Sequence, residues 1–178
     1  MNRLRICLIA VALSLAATAI AQPVVTVSHV DLDRYVGHWY EIARYPNRFQ
    51  AQCLGQVTAD YTKLPDNELR VVNRCKTSNG KEDEAIGQAR VVDRQTNAKL
   101  KVRFAPRWLS FLPWVWGDYW IIDLAPDYSY AVVGDPKREY LWILAREPNM
   151  SEPVWLAITQ RLGTQGYDPS RLVRTTHP

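Results

Sequence analysis

Few side chains in this 178-residue chain are suited to nucleophilic or metal chemistry. The candidates are the thiols of Cys53 and Cys75 and the imidazoles of His29, His38 and His177. A thiol nucleophile needs a nearby base, and a haem needs a suitably placed imidazole as axial ligand. The spacing of these histidines recommends neither arrangement. We therefore expect no catalytic residue, no metal and no cofactor.

The first 21 residues have the features of a secretory leader. Arg3 and Arg5 precede an apolar run at 6–17, and Ala19-Ile20-Ala21 matches a cleavage signal. The apolar run is too short to span a bilayer as a stable helix. Cys7 lies at the start of the apolar run, not at the cleavage point, so no lipoprotein anchor is evident. These features predict a signal peptide at 1–21 and an exported domain at 22–178.

Export changes the expectation for the two remaining cysteines. An even number of cysteines in an oxidising compartment predicts a disulfide, here between Cys53 and Cys75. The bond would close a loop of 22 residues. Such a loop would stabilise the fold by about 3 kcal/mol on the chain-entropy estimate.

Length and charge limit the class of protein. Residues 22–178 are enough for one domain with a substantial core. The whole chain has 22 basic and 18 acidic residues, a net charge of +4, and removing Arg3 and Arg5 leaves 20 − 18 = +2. Opposite charges are interspersed and no basic run offers a phosphate track, so we expect no nucleic acid partner.

Eight strand-like segments follow the leader at short intervals. Turn-rich stretches separate them, and links this short indicate antiparallel neighbours. The predicted strands are 37–46, 54–64, 69–77, 84–93, 98–105, 117–124, 128–134 and 140–146. A helix at about 151–163 and a short strand at about 171–175 follow.

The predicted helix has one apolar face. Ser151 is a candidate N-cap, and a glycine at 163 or 166 ends the helix. The outer side of the first strand, at Tyr40 and Ile42, is the natural receiver for this face. The apolar face of the helix consists of Val154, Trp155, Ile158 and Leu162.

Eight antiparallel strands and one outside helix favour an all-β fold, an up-and-down barrel spanning 37–146. In such a barrel the start of strand one and the end of strand eight lie together at one end, the floor. Trp39 and Arg146 occupy these positions, so we expect the guanidinium to stack on the indole. Because successive strands run in opposite directions, Cys53 before strand two and Cys75 at the end of strand three are expected at the opposite end, the mouth.

Three short motifs resemble those of the lipocalins. They are Gly37-x-Trp39, the Asp127-Tyr128 turn between strands six and seven, and Arg146 at the end of strand eight. The runs around the first and third motifs are most similar to bacterial outer-membrane lipocalins and apolipoprotein D-like relatives. The second motif of the family usually has an Asp where this chain has Ala125. Asp127 or Asp123 is expected to supply the turn hydrogen bonds instead.

Strand alternation predicts which side chains line the barrel interior. Glu41 is expected low in the cavity, satisfied by arginine or tyrosine neighbours. The small residues Ala85, Gly87 and Ala89 are expected to leave room for a ligand, although a solid core is the alternative. The predicted ligand-binding residues are Glu41, Ala43, Val57, Ala59, Tyr61, Ala89, Leu100, Val102, Phe104, Tyr119, Ile121, Ala131, Val133, Tyr140 and Trp142.

The connection between strands five and six is unusually aromatic for a loop. It has Arg107 followed by Trp108, Phe111, Trp114 and Trp116. One hypothesis is that the loop enters a membrane interface, where tryptophan is favoured. The other is that it packs across the mouth or forms a dimer contact, so the protein is expected to be a monomer or a homodimer.

The apolar lining and the resemblance together imply a non-enzymatic carrier of fatty acids, lysophospholipids or similar amphiphiles. The expected location is the periplasm, in association with the outer membrane, in support of membrane maintenance. An enzyme acting on a lipid in the same barrel is one alternative, but no nucleophile–base pair faces the expected cavity. A tetrapyrrole binder is another, but no histidine is expected to face inward.

Overall fold

A computed structural model describes residues 22–178, and the predicted signal peptide lies outside the described residues. The chain forms a barrel of eight strands, followed by a helix and a ninth, two-residue strand. The strands are β1 Gly37–Arg44, β2 Cys53–Leu64, β3 Glu68–Thr77, β4 Glu82–Val91, β5 Lys99–Arg103, β6 Gly117–Leu124, β7 Tyr130–Gly134, β8 Leu141–Ala145 and β9 Val173–Arg174. The α-helices are α1 Leu32–Tyr35 and α2 Glu152–Thr164, and short 3₁₀ turns occur at Arg48–Gln50, Pro65–Asn67, Arg107–Leu109, Pro113–Val115 and Pro169–Arg171.

The order of the strands confirms the predicted closed barrel. Each strand from β1 to β8 pairs antiparallel with the next, and β8 pairs back onto β1. At the floor, β1 pairs with β2, with Trp39 opposite Ala59. Towards the mouth end of β1, at Ala43 and Arg44, its partner on that side is β9 and no longer β2. This arrangement satisfies the backbone groups along both sides of β1.

Four strands, namely β1, β5, β7 and β8, are shorter than the hydrophobic pattern predicts. The predicted seventh strand starts at 128, but β7 begins at Tyr130 because Tyr128 has a φ of 65° and belongs to the turn. The predicted fifth strand reaches 105, but β5 ends at Arg103, which is opposite Gln88 of β4. The mouth half of β4, from Glu82 to Gly87, therefore pairs with β3 alone.

The helix α2 packs on the outside of the barrel, as its apolar face predicts. Ile158 and Leu162 are buried in one cluster with Ile42 of β1 and Ile143 of β8, and Tyr40 packs against the cluster's edge. Val154 and Trp155 are half-buried there. Ser151 precedes the helix, but its side chain makes no capping hydrogen bond.

The prediction that Ala43 faces the interior is wrong. The β1–β8 register shifts between Glu41 and Ala43, so the strand alternation changes phase at this irregularity. Ala43 is fully buried, but it lies in the outer cluster with Ile143 and Ile158. A β-bulge leaves no mark on the hydrophobic pattern here, because both faces of β1 are apolar.

The predicted disulfide between Cys53 and Cys75 is present, with a Cα–Cα distance of 5.6 Å. It links the mouth ends of β2 and β3 and packs with Val57. Within residues 22–178, no helix has the length and hydropathy needed to cross a membrane. In the same residues, no group of three His, Cys, Asp or Glu side chains could hold a metal ion.

Candidate functional site

The floor of the barrel is closed by the pair that the strand order brings together. The Arg146 guanidinium carbon lies 3.7 Å from the centre of the Trp39 ring, and Trp39 is fully buried. The indole nitrogen of Trp39 donates to the carbonyl of Tyr35 at 2.8 Å. The stack therefore joins the start of β1 to the residue after β8.

Arg146 also binds backbone carbonyls around the start of β1. Its Nη1 donates to His38 at 2.7 Å, and its Nη2 donates to Arg34, Tyr35 and Val36 at 2.7, 3.1 and 3.0 Å. These carbonyls include those left free at the end of α1, where a cation is favourable. Burial lowers the pKa of Arg146 from its usual value.

Gly37 occupies a position that other residues rarely adopt. Its φ is +100°, and an added Cβ would lie 3.4 Å from Nη1 of Arg146. The backbone angle, more than the space, explains the glycine in the Gly37-x-Trp39 motif. The motif thus combines a backbone turn with the indole that Arg146 covers.

The short helix α1 completes the floor, and the sequence pattern did not predict it. Val30, Leu32 and Tyr35 are buried in the barrel's interior cluster. Asp31 caps the helix by accepting from the amide of Asp33 at 2.9 Å. The Asp31-x-Asp33 pattern was a recognisable cap signal, but a four-residue helix is too short to show periodicity.

Three tyrosines form a hydrogen-bonded chain above the floor. The Tyr119 hydroxyl lies 2.7 Å from the Tyr35 hydroxyl and 2.9 Å from the Tyr61 hydroxyl. Three hydroxyl protons share two hydrogen bonds, so one O–H remains free to donate to a group outside the trio. The trio therefore places a hydrogen-bond donor inside an otherwise apolar interior.

Burial keeps these phenols neutral. Desolvation raises the pKa of Tyr61 to about 12. It also raises the pKa values of Tyr35 and Tyr119 well above their ordinary value. Tyr35 and Tyr61 raise the pKa of Tyr119 further. None of the three will ionise near neutral pH, so they act as hydrogen-bonding groups only.

Most of the predicted interior residues face the interior. Val102 and Trp142 are half-buried at its edge. The buried members are Ala59, Tyr61, Ala89, Leu100, Tyr119, Ile121, Ala131 and Val133.

The interior becomes accessible towards the mouth. Ala85, Gly87 and Ala89 share the inner phase of β4. Ala89 is buried, Gly87 is half-buried and Ala85 is exposed. The inner phase of β4 therefore becomes more exposed towards the mouth, as in a cup with a closed base.

Glu41 is buried in a polar cluster above the apolar part of the interior. Its carboxylate accepts from Arg44 at 2.6 Å, from Gln50 at 2.6 Å and from Thr175 at 2.5 Å. Gln50 also accepts from the indole nitrogen of Trp142 at 2.9 Å. The expectation that an arginine satisfies Glu41 is confirmed. The prediction that Glu41 lies low in the cavity is wrong, because its partner Gln50 belongs to the β1–β2 connection at the mouth.

Three predicted lining residues lie at the rim. Phe104 follows the last residue of β5 and is 44% exposed, with its ring against Gly87. The Tyr140 ring stacks on the Trp142 ring, with centres 5.9 Å apart. Val57 packs beside the disulfide. These side chains surround the entrance.

The aromatic loop between β5 and β6 does not pack across the mouth. Trp108, Phe111 and Trp114 are 73%, 75% and 77% exposed. Trp116 differs from them, because it is only 9% exposed and its indole nitrogen donates to the Ser110 carbonyl at 2.8 Å. The expectation that Trp116 shares the loop's exposed surface is therefore wrong.

The turn between β6 and β7 is held by Asp127 despite the alanine at 125. The Asp127 carboxylate accepts from the amide of Ser129 at 3.0 Å, and the Ser129 hydrogen bonds lower its pKa. Asp123 instead pairs with Arg161 of α2 at 2.8 Å. Of the two expected substitutes, Asp127 supplies the turn hydrogen bond.

Comparison with known proteins agrees with this architecture of a closed barrel, a capped floor and an outside helix. The chain matches the lipocalin-like domain over residues 30–177. It therefore belongs to the lipocalin family.

Relatives from distant organisms share most of this chain. Temperature-induced lipocalin-1 of Arabidopsis thaliana is 41% identical over 84% of this chain and 80% of its own. The outer membrane lipoprotein Blc of Escherichia coli K12 is 37% identical over 87% and 84%. Apolipoprotein D of Mus musculus is 28% identical over 82% and 76%. The resemblance to bacterial lipocalins and apolipoprotein D is thus confirmed, and it extends to a plant lipocalin.

The fold is also that of solved lipocalin structures. Insecticyanin of the tobacco hornworm Manduca sexta superposes with a TM-score of 0.67 at 21% identity, covering 89% of this chain and 87% of that one. The likeness concerns the barrel and its helix.

Proposed function

We propose that the protein binds and carries a lipid-like hydrophobic ligand, such as a fatty acid or a lysophospholipid, in its barrel. One observation carries the proposal: the inner face of β4 changes from exposed Ala85 to buried Ala89 between apolar walls. A single acyl chain fits a narrow apolar cup of this kind. Each methylene buried contributes about 0.8 kcal/mol, so a chain of about 14 carbons gains roughly 10 kcal/mol before ordering costs.

The polar groups of the interior favour an amphiphile over a pure hydrocarbon. The tyrosine trio leaves one hydroxyl proton to donate. A second polar group lies nearer the mouth. There Glu41 accepts from Arg44 and Gln50, and Gln50 accepts from Trp142. No residue of the described interior has the nucleophile–base geometry of a lipid-cleaving enzyme, so we propose binding without catalysis.

A substitution at the inner face of the mouth tests the ligand site. Ala85→Trp places an indole in the open part of the cup and should weaken binding of a fluorescent fatty acid by at least about tenfold. Ile86→Trp is the matched control, because its side chain is 53% exposed on the outer face of the same strand. Equal binding by both variants would contradict the proposed site. Mass spectrometry of lipids that co-purify with the wild type would identify the ligand.

The proposed setting is the cell envelope, after export to the periplasm, with a role in membrane maintenance. The exposed aromatic side chains of the β5–β6 loop support contact with a lipid surface, since tryptophan is favoured at membrane interfaces. Substituting Trp108, Phe111 and Trp114 together with serine should abolish binding to phosphatidylcholine vesicles. Unchanged vesicle binding would show that the loop has another partner.

A further inference from the structure

The outer wall of the barrel beneath the aromatic loop carries a cluster of arginines. Arg70 of β3 is opposite Gln88 of β4, and Gln88 is opposite Arg103 of β5. These side chains alternate along their strands with the interior residues Leu69 and Ala89. The three therefore form a row across the outer face of the sheet.

A second row and the loop add further positive charge. Arg90 lies on the same face of β4, two residues beyond Gln88, and Arg107 approaches from the loop. Together they enclose a cavity of about 170 Å³. Its lining residues are Glu68, Gln88, Arg90, Arg103, Arg107, Ser110 and Trp116. Arg70 lines an adjoining depression together with Arg103 and Arg107.

The negative charge beside this cluster is small. The Glu68 carboxylate accepts from the Gln88 amide. In the part of the chain that the structure describes, no ion pair involves any of the four arginines. Glu68 is opposite Arg90 across β3 and β4, and it is the one acidic residue among those that line the cavity. The cluster therefore keeps an excess of positive charge that an anion could compensate.

Arg103 is the most buried arginine of the cluster. It is only 5% exposed, with Nη1 donating to the Ala105 carbonyl at 2.6 Å and Nη2 to Gln88 at 2.5 Å. Its Nε has no hydrogen-bond partner among the described residues. A buried cation whose hydrogen-bond partners are all neutral is expensive, and an anion in the adjoining cavity would compensate its charge.

Trp116 connects this cluster to the exposed aromatic residues. Its ring lies 4.1 Å from the Arg90 guanidinium carbon and 5.2 Å from that of Arg103. Its indole nitrogen binds Ser110, which also lines the cavity. Arg107 immediately precedes the exposed Trp108. The cavity is therefore only a few residues from the side chains expected to enter a lipid interface.

We propose that the cavity lined by Arg90, Arg103 and Arg107 binds the phosphate of an anionic phospholipid headgroup at the membrane surface, where no choline cation offsets the negative charge. The inference rests on the proposed contact between the aromatic loop and the membrane. With the aromatic side chains in the interface, the arginines lie at the level of the headgroups. The site thus gives the protein a preference for anionic membranes, separate from the ligand held inside the barrel.

Vesicle binding by an arginine variant tests the site. Arg90→Gln with Arg107→Gln removes two exposed charges and should weaken binding to vesicles containing phosphatidylglycerol about thirtyfold, at roughly five- to sixfold per charge. Binding to pure phosphatidylcholine should be unchanged. The matched control is Arg94→Gln with Lys137→Gln, which removes two exposed charges elsewhere. It should lose less than about threefold.

The outcomes separate this site from the proposed loop contact. Equal losses in the arginine variant and the control would mean that only net charge matters, and would overturn the site. Phosphatidylcholine binding with no preference for phosphatidylglycerol would overturn the site alone. No binding of the wild type to either vesicle would contradict the loop contact and the site together.

A soluble anion is distinguished by a second measurement. The Arg103 Nε–H signal in an NMR spectrum should shift when phosphatidylglycerol vesicles are added and should respond only weakly to inorganic phosphate. A strong shift with inorganic phosphate, combined with unchanged vesicle binding by the arginine variant, would identify a site for a free anion. That result would overturn the headgroup assignment.

Discussion

At the scale of single residues, Arg146 does more than its stack on Trp39 suggests. Its guanidinium binds four backbone carbonyls as well as covering the indole. Hydrogen bonds to a charged donor are stronger than neutral ones, and carbonyls left unpaired on burial cost stability. The residue therefore holds α1, the start of β1 and the end of β8 in one arrangement.

Arg146→Gln should lower the free energy of unfolding by about 3 kcal/mol or more, measured by urea denaturation. Arg174→Gln is the control, because Arg174 also covers an indole, that of Trp155 at 3.9 Å, but is exposed. Its loss should stay near 1 kcal/mol or less. Equal losses would show that the carbonyl contacts of Arg146 contribute nothing.

The buried tyrosines predict how stability depends on alkaline pH. Because the pKa of Tyr61 rises to about 12 in the fold from its usual value of 10.0, the folded state keeps its proton where the unfolded state loses it. The resulting stabilisation is fully present below pH 10 and is lost as the pH rises through about 12, by roughly 2–3 kcal/mol.

Chemical denaturation between pH 9 and about 12 would measure this loss. Tyr61→Phe should show a shallower decline than the wild type over that range, because one raised pKa has been removed. Tyr140→Phe is a useful comparison, since Tyr140 lies at the rim and is only half-buried. A slope unchanged by Tyr61→Phe would contradict the assignment of the raised pKa to the interior trio.

At the scale of elements, α2 covers the outside of β1 and β8. Ile158 is fully buried between the helix and the barrel, whereas Leu156 on the same helix is 59% exposed. Ile158→Ala should lower the free energy of unfolding by about 2–4 kcal/mol, and Leu156→Ala by less than about 0.5 kcal/mol. Urea denaturation of both variants would check the difference. A similar small loss for both would mean that the helix adds little to the barrel.

The β5–β6 loop is the element that most distinguishes this chain. Its composition predicts an interaction surface, and the structure divides it into two parts. Trp108, Phe111 and Trp114 are exposed, whereas Trp116 is buried beside Arg90. One tryptophan therefore anchors the loop to the barrel wall, and the others remain available to a partner.

At the scale of the whole molecule, closure gives the barrel two different ends. The floor is closed by Trp39, Arg146 and the short helix α1. The mouth has the disulfide, the rim residues and the aromatic loop. If the loop contacts a membrane, the open end of the barrel faces the lipid bilayer. A lipid can then pass from the bilayer into the barrel without dissolving in water first.

Much of this architecture could be predicted from the sequence. Strand alternation and short turns indicated eight antiparallel strands, and parity then placed Trp39 beside Arg146 and Cys53 beside Cys75. These predictions succeed because alternation and strand direction are local properties that propagate around a closed sheet. The buried face of α2 could also be predicted, because its apolar residues are regularly spaced over three turns.

Other features were decided only by the tertiary structure. Ala43 moved to the outer face because of a bulge in a strand that is apolar on both sides, so no pattern marked the change of phase. The tyrosine trio joins residues up to 84 positions apart, and spacing along the chain does not encode hydroxyl contacts. The arginine cavity likewise depends on the register of three strands and on where the loop folds back. Local periodicity sets which face a side chain takes, whereas register and loop geometry decide which side chains meet.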